Sequence, residues 1–158
     1  MIIILIGVSG CGKSTVGKAL AGELGWPFLD ADDYHSGENI RKMSAGIPLD
    51  DADRQPWLER LRDLIATKEN AVLACSAMKA SYRNILASGV RDIRWVHLHG
   101  TMEEVLHLMA KRKDHFMKEG LLRSQFETLE LPANALTLPV TAEVQVQTKA
   151  IRSRLGLL

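Results

Sequence analysis

The sequence has few of the features that mark secreted, membrane-bound or nucleic-acid-binding proteins. Its 158 residues include only two cysteines, Cys11 and Cys75, in unlike surroundings, which excludes a disulfide framework and a cysteine-based metal cluster. The 20 basic and 19 acidic side chains nearly cancel, so no overall field attracts nucleic acid or an anionic membrane. No apolar run approaches the roughly 18 residues of a membrane-spanning helix, and the N-terminus lacks a signal-peptide pattern. We therefore expect a soluble, cytoplasmic protein without nucleic-acid or membrane partners.

Linkers, repeats and low-complexity tracts are also absent, and the length suits a single domain over residues 1–158. Five apolar runs predict strands, at residues 2–6, 27–30, 71–76, 93–98 and 135–139. The amphipathic segments between these runs predict helices. This alternation indicates a three-layer α/β fold, in which a mostly parallel five-stranded sheet carries helices on both faces. Two polar segments, residues 36–56 and 111–126, interrupt the pattern, and such insertions usually carry function.

The clearest motif is GVSGCGKS at residues 7–14, which fits G-x-x-x-x-G-K-[ST] between the first strand and the first helix. Its glycines let successive main-chain N–H groups point at phosphate oxygens, beside the positive end of the helix. Lys13 is expected to reach the β- and γ-phosphates of ATP, and the Ser14 hydroxyl to bind Mg²⁺. A dinucleotide fold is excluded because its glycines follow G-x-G-x-x-G. The predicted ATP-binding residues in this motif are Gly7, Val8, Ser9, Gly10, Cys11, Gly12, Lys13 and Ser14.

The acidic stretch DADDYH follows the second predicted strand. Many P-loop proteins hold Mg²⁺ through an aspartate at the end of another strand, but the strand at 71–76 carries no acid. If the strand at 27–30 runs beside the first one, Asp30 ends near the phosphates, and alternation places Asp30 and Asp32 on the same side. Asp30 then holds Mg²⁺ through water, and Asp32 accepts the proton of an attacking hydroxyl. Asp33 is expected on the surface or at a helix cap.

These acids narrow the class of P-loop protein. The sequence shows neither the base-reading motif of a GTPase nor the length and acidic second strand of a motor or transporter ATPase. A small-molecule kinase remains, with residues 36–56 gripping the acceptor and residues 111–126 forming a mobile lid. The lid segment is basic, which suits a transferring phosphoryl group. Its charged candidates are Arg112, Lys113, His115 and Lys118, and a solvated basic face is the alternative.

Four blocks of sequence resemble, in order and spacing, the motifs of gluconate kinases. They are GVSGCGKST, FLDADDYHSGENIRKMSAGIPLDDADRQPWL, CSAMKASYR and HFMKEGLLRSQFETLELP. The resemblance spans nearly the whole chain and implies the P-loop kinase fold shared with shikimate and nucleoside monophosphate kinases. It further implies transfer of the ATP γ-phosphoryl group to the 6-hydroxyl of D-gluconate, with Mg²⁺ as cofactor. It also adds Thr15 to the ATP-binding residues and makes a homodimer plausible.

Further site residues come from the same blocks. The resemblance supports Asp30 and Asp32 in their roles, and it implies that His35 hydrogen-bonds the polyol and that Arg54 meets the gluconate carboxylate or hydroxyls. A histidine that satisfies the loop backbone and a surface ion pair to a neighbouring aspartate are the respective alternatives. Lys79 and Arg83 lie four residues apart, which predicts one cationic helix face for substrate, or else solvated charges.

The lid and the tryptophan complete the predicted site. Arg112 is expected to act in catalysis and to flank the adenine, and His115 to contact substrate. Trp57, which follows Pro56, is expected to anchor the start of its helix by packing. Two other functions stay open at this point: a kinase for another acceptor, such as shikimate or a nucleoside monophosphate, and a non-catalytic module that senses ATP.

Overall fold

The computed structural model describes residues 1–111 and 119–157. Within them the elements are β1 Ile2–Ile6, α1 Lys13–Leu24, β2 Phe28–Asp30, α2 Gly37–Ser44, α3 Asp51–Ala66, β3 Ala71–Ala74, α4 Ala80–Ala87, β4 Ile93–His99, α5 Met102–Ala110, α6 Glu119–Thr128, β5 Leu136–Pro139 and α7 Val144–Arg154. A short 3₁₀ helix, Ala31–Tyr34, follows β2. Each predicted strand is present within two residues of its predicted bounds.

The five strands form one parallel sheet in the order β2-β3-β1-β4-β5, which confirms the predicted α/β fold. Every residue of the central strand β1 is buried, as expected for a parallel strand covered on both faces. Helix α1 packs on β3 and on α7, while α3 packs on α4. In the described part of the chain, no helix has the length and apolar character needed to cross a bilayer.

The position of β2 differs from the sequence-based expectation. It does not lie beside β1, because β3 comes between them, and Ala74 of β3 is in register with Leu5 on one side and Asp30 on the other. Asp30 therefore reaches the first strand's carboxyl end across the end of β3. The carboxyl ends of all these parallel strands still meet at one edge of the sheet, where ligands bind in open α/β folds.

The helix that contains Trp57 also begins earlier than predicted. Asp50 caps α3 by accepting from the Asp53 N–H at 2.7 Å, and the Asp53 carboxylate accepts from the Asp50 N–H at 3.1 Å. This capping box starts the helix at Asp51, so Pro56 lies inside it rather than at its start. The polar segment at 36–56 thus contains α2 and the first part of α3.

Candidate active site

Residues 7–14 join β1 to the first turn of α1, and their main chain bends sharply at glycine residues. Gly10 and Gly12 adopt φ angles of 81° and 100°, which side-chain-bearing residues rarely adopt. A Cβ atom at Gly10 would lie 2.6 Å from the Met109 side chain of α5. The main chain can therefore bend closely around a phosphate and pass directly into α1, where the first N–H groups of the helix are free to bind an anion. We call residues 7–14 the phosphate loop.

The predicted nucleotide-binding residues have different surroundings in this loop. The Lys13 ammonium donates to the carbonyl oxygens of Gly7 and Val8, both at 2.9 Å. The Cys11 side chain is buried beneath the loop, and Thr15 is exposed on the first turn of α1. Lys13 is thus held at the mouth of the loop, from which its flexible side chain can reach a bound phosphate.

Beside the phosphate loop is a cavity of about 90 Å³, into which the ends of β2 and β3 also open. Its lining consists of Ser9, Gly10, Gly12, Lys13, Ser14, Asp30, Asp32, Ala74, Cys75 and Ser76. The Ser14 hydroxyl donates to Asp30 Oδ2 at 3.0 Å, so two oxygen ligands converge at the loop. Burial raises the pKa of the Cys75 thiol to about 12, which keeps this neighbouring side chain protonated and uncharged.

Asp30 and Asp32 lie together, but not for the reason predicted. The strand ends at Asp30, and the 3₁₀ helix over 31–34 replaces the alternating extended chain. The Asp30 carboxylate joins the pair, since its Oδ1 accepts from the Asp32 N–H at 3.0 Å while its Oδ2 accepts from Ser14. The Asp32 side chain is 82% exposed and lines the cavity. Asp33 is exposed on the surface, and the residue that caps the 3₁₀ helix is Asp30.

His35 is enclosed by protein. Its side chain is 3% exposed, and its ring stacks on Trp57 with the centroids 4.1 Å apart. Trp57 is itself buried and donates from Nε1 to the Ala31 carbonyl at 2.7 Å, which fixes both rings. Burial, and secondarily the Arg54 guanidinium, lowers the pKa of His35 to about 4, so the ring is neutral at pH 7. This enclosure favours a role in supporting the site, and the polyol contact of His35 stays a prediction.

The tautomer of His35 follows from its neighbour Asn39. The Asn39 amide nitrogen donates to the Asp53 carbonyl at 2.9 Å and lies 3.3 Å from His35 Nδ1. Nδ1 therefore accepts, and the neutral ring carries its proton on Nε2. Nε2 lies 3.9 Å from Asp32 Oδ1, which is beyond hydrogen-bond distance. The ring thus presents an N–H toward Asp32 without binding it directly.

Arg54 belongs to a network that extends to α4. Its guanidinium donates to the Leu49 carbonyl and to the Tyr82 hydroxyl, the latter at 3.1 Å. The Tyr82 hydroxyl in turn donates to Asp51, which also accepts from Lys79 at 3.1 Å. The hydrogen bond from Tyr82, followed by that from Lys79, lowers the pKa of Asp51. We call Arg54, Lys79 and Tyr82 the acceptor wall.

Two members of this network, Tyr82 and Asp51, were not among the predicted site residues. Their contacts join positions 28 to 31 residues apart in sequence, so no local periodicity reveals them. The only signal was position: both lie within blocks that resemble gluconate kinases. Arg54 also does not form the ion pair with a neighbouring aspartate that was its alternative interpretation.

The predicted pairing of Lys79 with Arg83 is wrong. Lys79 precedes α4 as its N-terminal cap residue, whereas Arg83 is buried and turns the other way. Arg83 donates to the carbonyls of Ala77 at 2.8 Å, Met78 at 3.2 Å and Glu130 at 2.9 Å. Ala77 has a strained φ of 32°, so Arg83 holds an unfavourable turn in place. This side chain is a brace for the loop after β3.

The four charged candidates of the lid, Arg112, Lys113, His115 and Lys118, lie outside the described residues. A larger cavity of about 420 Å³ is lined mainly by residues of α5. Glu103, His107, Lys111 and Thr141 are among its lining residues, and none belongs to the phosphate loop or the aspartate pair. We therefore assign the chemistry to the smaller cavity.

Known proteins match this chain over most of its length. The shikimate kinase family model matches residues 9–147. A probable gluconokinase from Xenopus tropicalis is 46% identical over 152 residues, covering 84% of this chain and 80% of that protein. The thermosensitive gluconokinase of Escherichia coli strain K12 is 47% identical over 133 residues, covering 82% and 71% respectively. The crystal structure of a gluconokinase from Sinorhizobium meliloti 1021 superposes with a TM-score of 0.90 at 41% identity, covering 97% of this chain and 91% of that one.

These similarities agree with the geometry of the site. A phosphate loop at the sheet's carboxyl edge, with an aspartate pair beside it, is what a kinase that acts on an alcohol requires. At these identities and coverages, the chain belongs to the gluconokinase family, among the ATP-using P-loop kinases that the shikimate kinase model describes.

Proposed function

We propose that this protein transfers the γ-phosphoryl group of ATP to the 6-hydroxyl of D-gluconate, giving 6-phosphogluconate and ADP. The observation that carries the proposal is the cavity in which Ser14, Asp30 and Asp32 meet beside Lys13. It provides a phosphate site, a pair of oxygen ligands and a second carboxylate within one small volume. The names of the relatives supply the substrate class.

Mg²⁺ is the metal that fits the donors present. Ser14 and Asp30 offer oxygen ligands 3.0 Å apart, and hard divalent cations prefer oxygen. Among the described residues, no cluster of three or more His, Cys, Asp or Glu side chains could enclose a metal. Mg²⁺ suits such a site because it usually binds one or two protein groups together with phosphates and waters. When bound, Mg²⁺ would neutralise charge on the β- and γ-phosphates.

The chain's own groups then divide the reaction between them. The phosphate loop and Lys13 bind the phosphates and stabilise the charge that develops during transfer. Asp32 accepts the proton of the 6-hydroxyl as its oxygen attacks the γ-phosphorus, and ADP leaves with the electrons of the broken P–O bond. The contact from the Asp30 carboxylate to the Asp32 main-chain N–H holds the two residues next to each other beside the phosphate loop.

The acceptor wall would bind the sugar acid. Arg54 and Lys79 supply positive charge for the gluconate carboxylate, and the Tyr82 hydroxyl links the two through Asp51. His35 and Trp57 support the wall from within by stacking, and Arg83 braces the loop that leads to Lys79. Arg112 and His115 keep their proposed roles in transfer and substrate contact, on a lid that includes residues 111–126.

A coupled assay for ADP tests the proposal. ATP, Mg²⁺ and a panel of acceptors, comprising gluconate, other sugar acids, shikimate and nucleoside monophosphates, are compared with ATP alone. We expect turnover above background with gluconate. The family model is that of shikimate kinases, so shikimate is the main competing acceptor. Turnover with shikimate alone would show that the protein is a kinase for shikimate and not for gluconate. No turnover with any acceptor would contradict the proposal and favour an ATP sensor.

The remaining expectations concern the whole protein. We propose that residues 1–158 act as a single domain, that the enzyme works in the cytoplasm on a small molecule, and that it forms a homodimer, as the resemblance implies. Light scattering on the purified protein measures its mass in solution, and a mass of one chain would exclude the dimer.

A further inference from the structure

Gln125 of α6 makes a paired contact with the phosphate loop. The Ser9 main-chain N–H donates to Gln125 Oε1 at 2.7 Å, and Gln125 Nε2 donates to the Ser9 hydroxyl at 3.0 Å. One carboxamide therefore binds both a main-chain donor and a side-chain acceptor of the same residue, across 116 positions of sequence. Both residues are half-buried, so water competes less for these bonds than it would on an open surface.

Ser9 belongs to the cavity to which we assign the transfer chemistry. It lines the cavity together with Lys13, which serves the β- and γ-phosphates, and with Asp32. Within the loop, Lys13 donates to the Gly7 and Val8 carbonyls and the Cys11 N–H donates to the Val8 carbonyl at 3.3 Å, and none of these bonds includes Ser9. The position of Ser9 is thus set from outside the loop, by Gln125.

The chain just after α6, the helix that carries Gln125, makes a second set of contacts. The Glu130 N–H donates to the Met78 carbonyl at 2.8 Å, and the Glu130 carboxylate accepts from the Ala80 N–H at 2.6 Å. Arg83 adds a bond to the Glu130 carbonyl at 2.9 Å. These residues flank Lys79 of the acceptor wall. Helix α6 and the two residues after it therefore connect the phosphate loop to the acceptor wall, through Gln125 in the helix and Glu130 just beyond its end.

We propose that Gln125 is a positioning residue, which holds the Ser9 segment of the phosphate loop in register with the acceptor wall for binding the γ-phosphate. The proposal rests on the proposed function insofar as ATP is the phosphoryl donor. Gln125 acts through Ser9 and does not touch the reacting atoms. Its effect should appear with nucleotides that carry a γ-phosphate and be small with ADP, because Ser9 lines the same cavity as Asp32, the residue assigned to the transfer step.

The test compares the full-length protein with Gln125→Met, Ser9→Ala and the double variant. Methionine keeps the volume of glutamine and removes both hydrogen bonds. The matched control is Gln145→Met, an exposed glutamine on α7. Calorimetry measures the Kd of the magnesium complexes of ADP and of a non-hydrolysable ATP analogue, and the ADP assay measures kcat and KM.

We expect Gln125→Met to weaken binding of the ATP analogue and to lower kcat, each by about tenfold, as for the loss of two hydrogen bonds of ordinary net strength. The Kd of ADP should stay within about twofold. Ser9→Ala removes one bond and should weaken the analogue about threefold, and the double variant should be no weaker than Gln125→Met. The control should match the wild type.

Three results would overturn the proposal: unchanged or tighter analogue binding in Gln125→Met, equal losses for ADP and the analogue, or losses that multiply in the double variant. If Gln125→Met does not fold, Gln125→Glu replaces it, because it keeps an acceptor for the Ser9 N–H but places negative charge beside the γ-phosphate. It should also weaken the analogue selectively, and equal binding would refute the role. The binding arms need no acceptor, so absence of gluconate-dependent turnover would contradict the proposed function alone.

Discussion

The phosphate loop and the acceptor wall position their binding groups by different means. The loop is a continuous stretch of eight residues, 7 to 14, whose main chain is bent by glycine and whose only long side chain is Lys13. The wall takes its groups from α3 and from α4 with its N-terminal cap residue, and joins them by side-chain hydrogen bonds. A site built from the main chain tolerates changes of side chain away from its motif. A site built from side chains depends on each one.

The phosphate loop should give the largest effect when its one long side chain is removed. Lys13→Ala should lower kcat by roughly 100- to 1,000-fold, because a cation that stabilises transition-state charge is lost. The melting temperature should change little, as measured by circular dichroism. Lys18→Ala, an exposed lysine further along α1, is the control. An unfolded Lys13→Ala protein would mean that its bonds to Gly7 and Val8 are structural, and would contradict the assigned role.

Asp32 lies between the two regions and should show the next largest effect. Asp32→Asn should lower kcat by about 100-fold or more, since the amide cannot accept the proton, while ATP affinity stays within a few-fold. Asp33→Asn, the exposed neighbour in the same 3₁₀ helix, should behave like the wild type. Steady-state kinetics and calorimetry give the two quantities. A near-normal rate in Asp32→Asn would remove the assignment of general base.

The acceptor wall should respond to a change that preserves charge. Arg54→Lys replaces the planar guanidinium, whose Nη1 donates to both the Leu49 carbonyl and the Tyr82 hydroxyl, and should raise the KM for gluconate about tenfold without changing that for ATP. Arg60→Lys is matched, because Arg60 also lies on α3 over a tyrosine ring, that of Tyr34, but is exposed. If Arg54→Lys and Arg60→Lys give the same KM, the wall does not bind the acceptor.

The smallest effect concerns stability in acid. His35 has a pKa lowered to about 4 by burial, and His97 of β4 has a pKa lowered to about 4 for the same first cause. The unfolded chain therefore binds these protons more readily, and stability present above pH 6.5 is lost as the pH falls toward 4. Each group contributes at most about 1.4 kcal/mol per pH unit.

His35→Asn should reduce this acid dependence by about half, because His97 remains. Denaturant titrations at several pH values between 4 and 7 measure the slope, with the exposed His107→Asn as control. An unchanged slope in His35→Asn would show that the ring is not kept neutral by its surroundings. Such a result would also weaken the interpretation of His35 as a support for the wall.

The difference between the two regions also explains which parts could be predicted from sequence. The strands and the phosphate loop follow from local patterns, namely apolar runs and the spacing of glycines, lysine and serine. The order of strands does not, since nothing in the run at 27–30 indicates that β3 will separate it from β1. Asp30 and Asp32 were correctly predicted to lie together, although the predicted extended backbone and strand neighbour were wrong. The carboxyl ends of all strands in a parallel sheet meet at one edge, so residues that follow any of these strands lie close together.

The acceptor wall could be predicted only in part. Arg54 and Lys79 were identified through resemblance, but Tyr82 and Asp51 connect them through tertiary contacts that leave no periodic signal. Arg83 was misassigned because spacing along a helix says which residues are neighbours and not which one faces the interior. Its three carbonyl partners explain its burial, and they depend on the strained turn at Ala77.

Strand β3, which separates β1 from β2, bears on how the sequences of related proteins are interpreted. Ala74 ends β3 with the smallest side chain that a Cβ allows, and Ser14 and Asp30 meet across that gap. Under the proposed function, the small residue at the end of β3 leaves room for Ser14 and Asp30 to serve together as metal ligands. In a related P-loop protein whose strand next to β1 ends in alanine and carries no acid, we expect the metal-binding carboxylate at the end of the following strand, the equivalent of β2. A bulkier residue in place of that alanine argues against this position for the carboxylate.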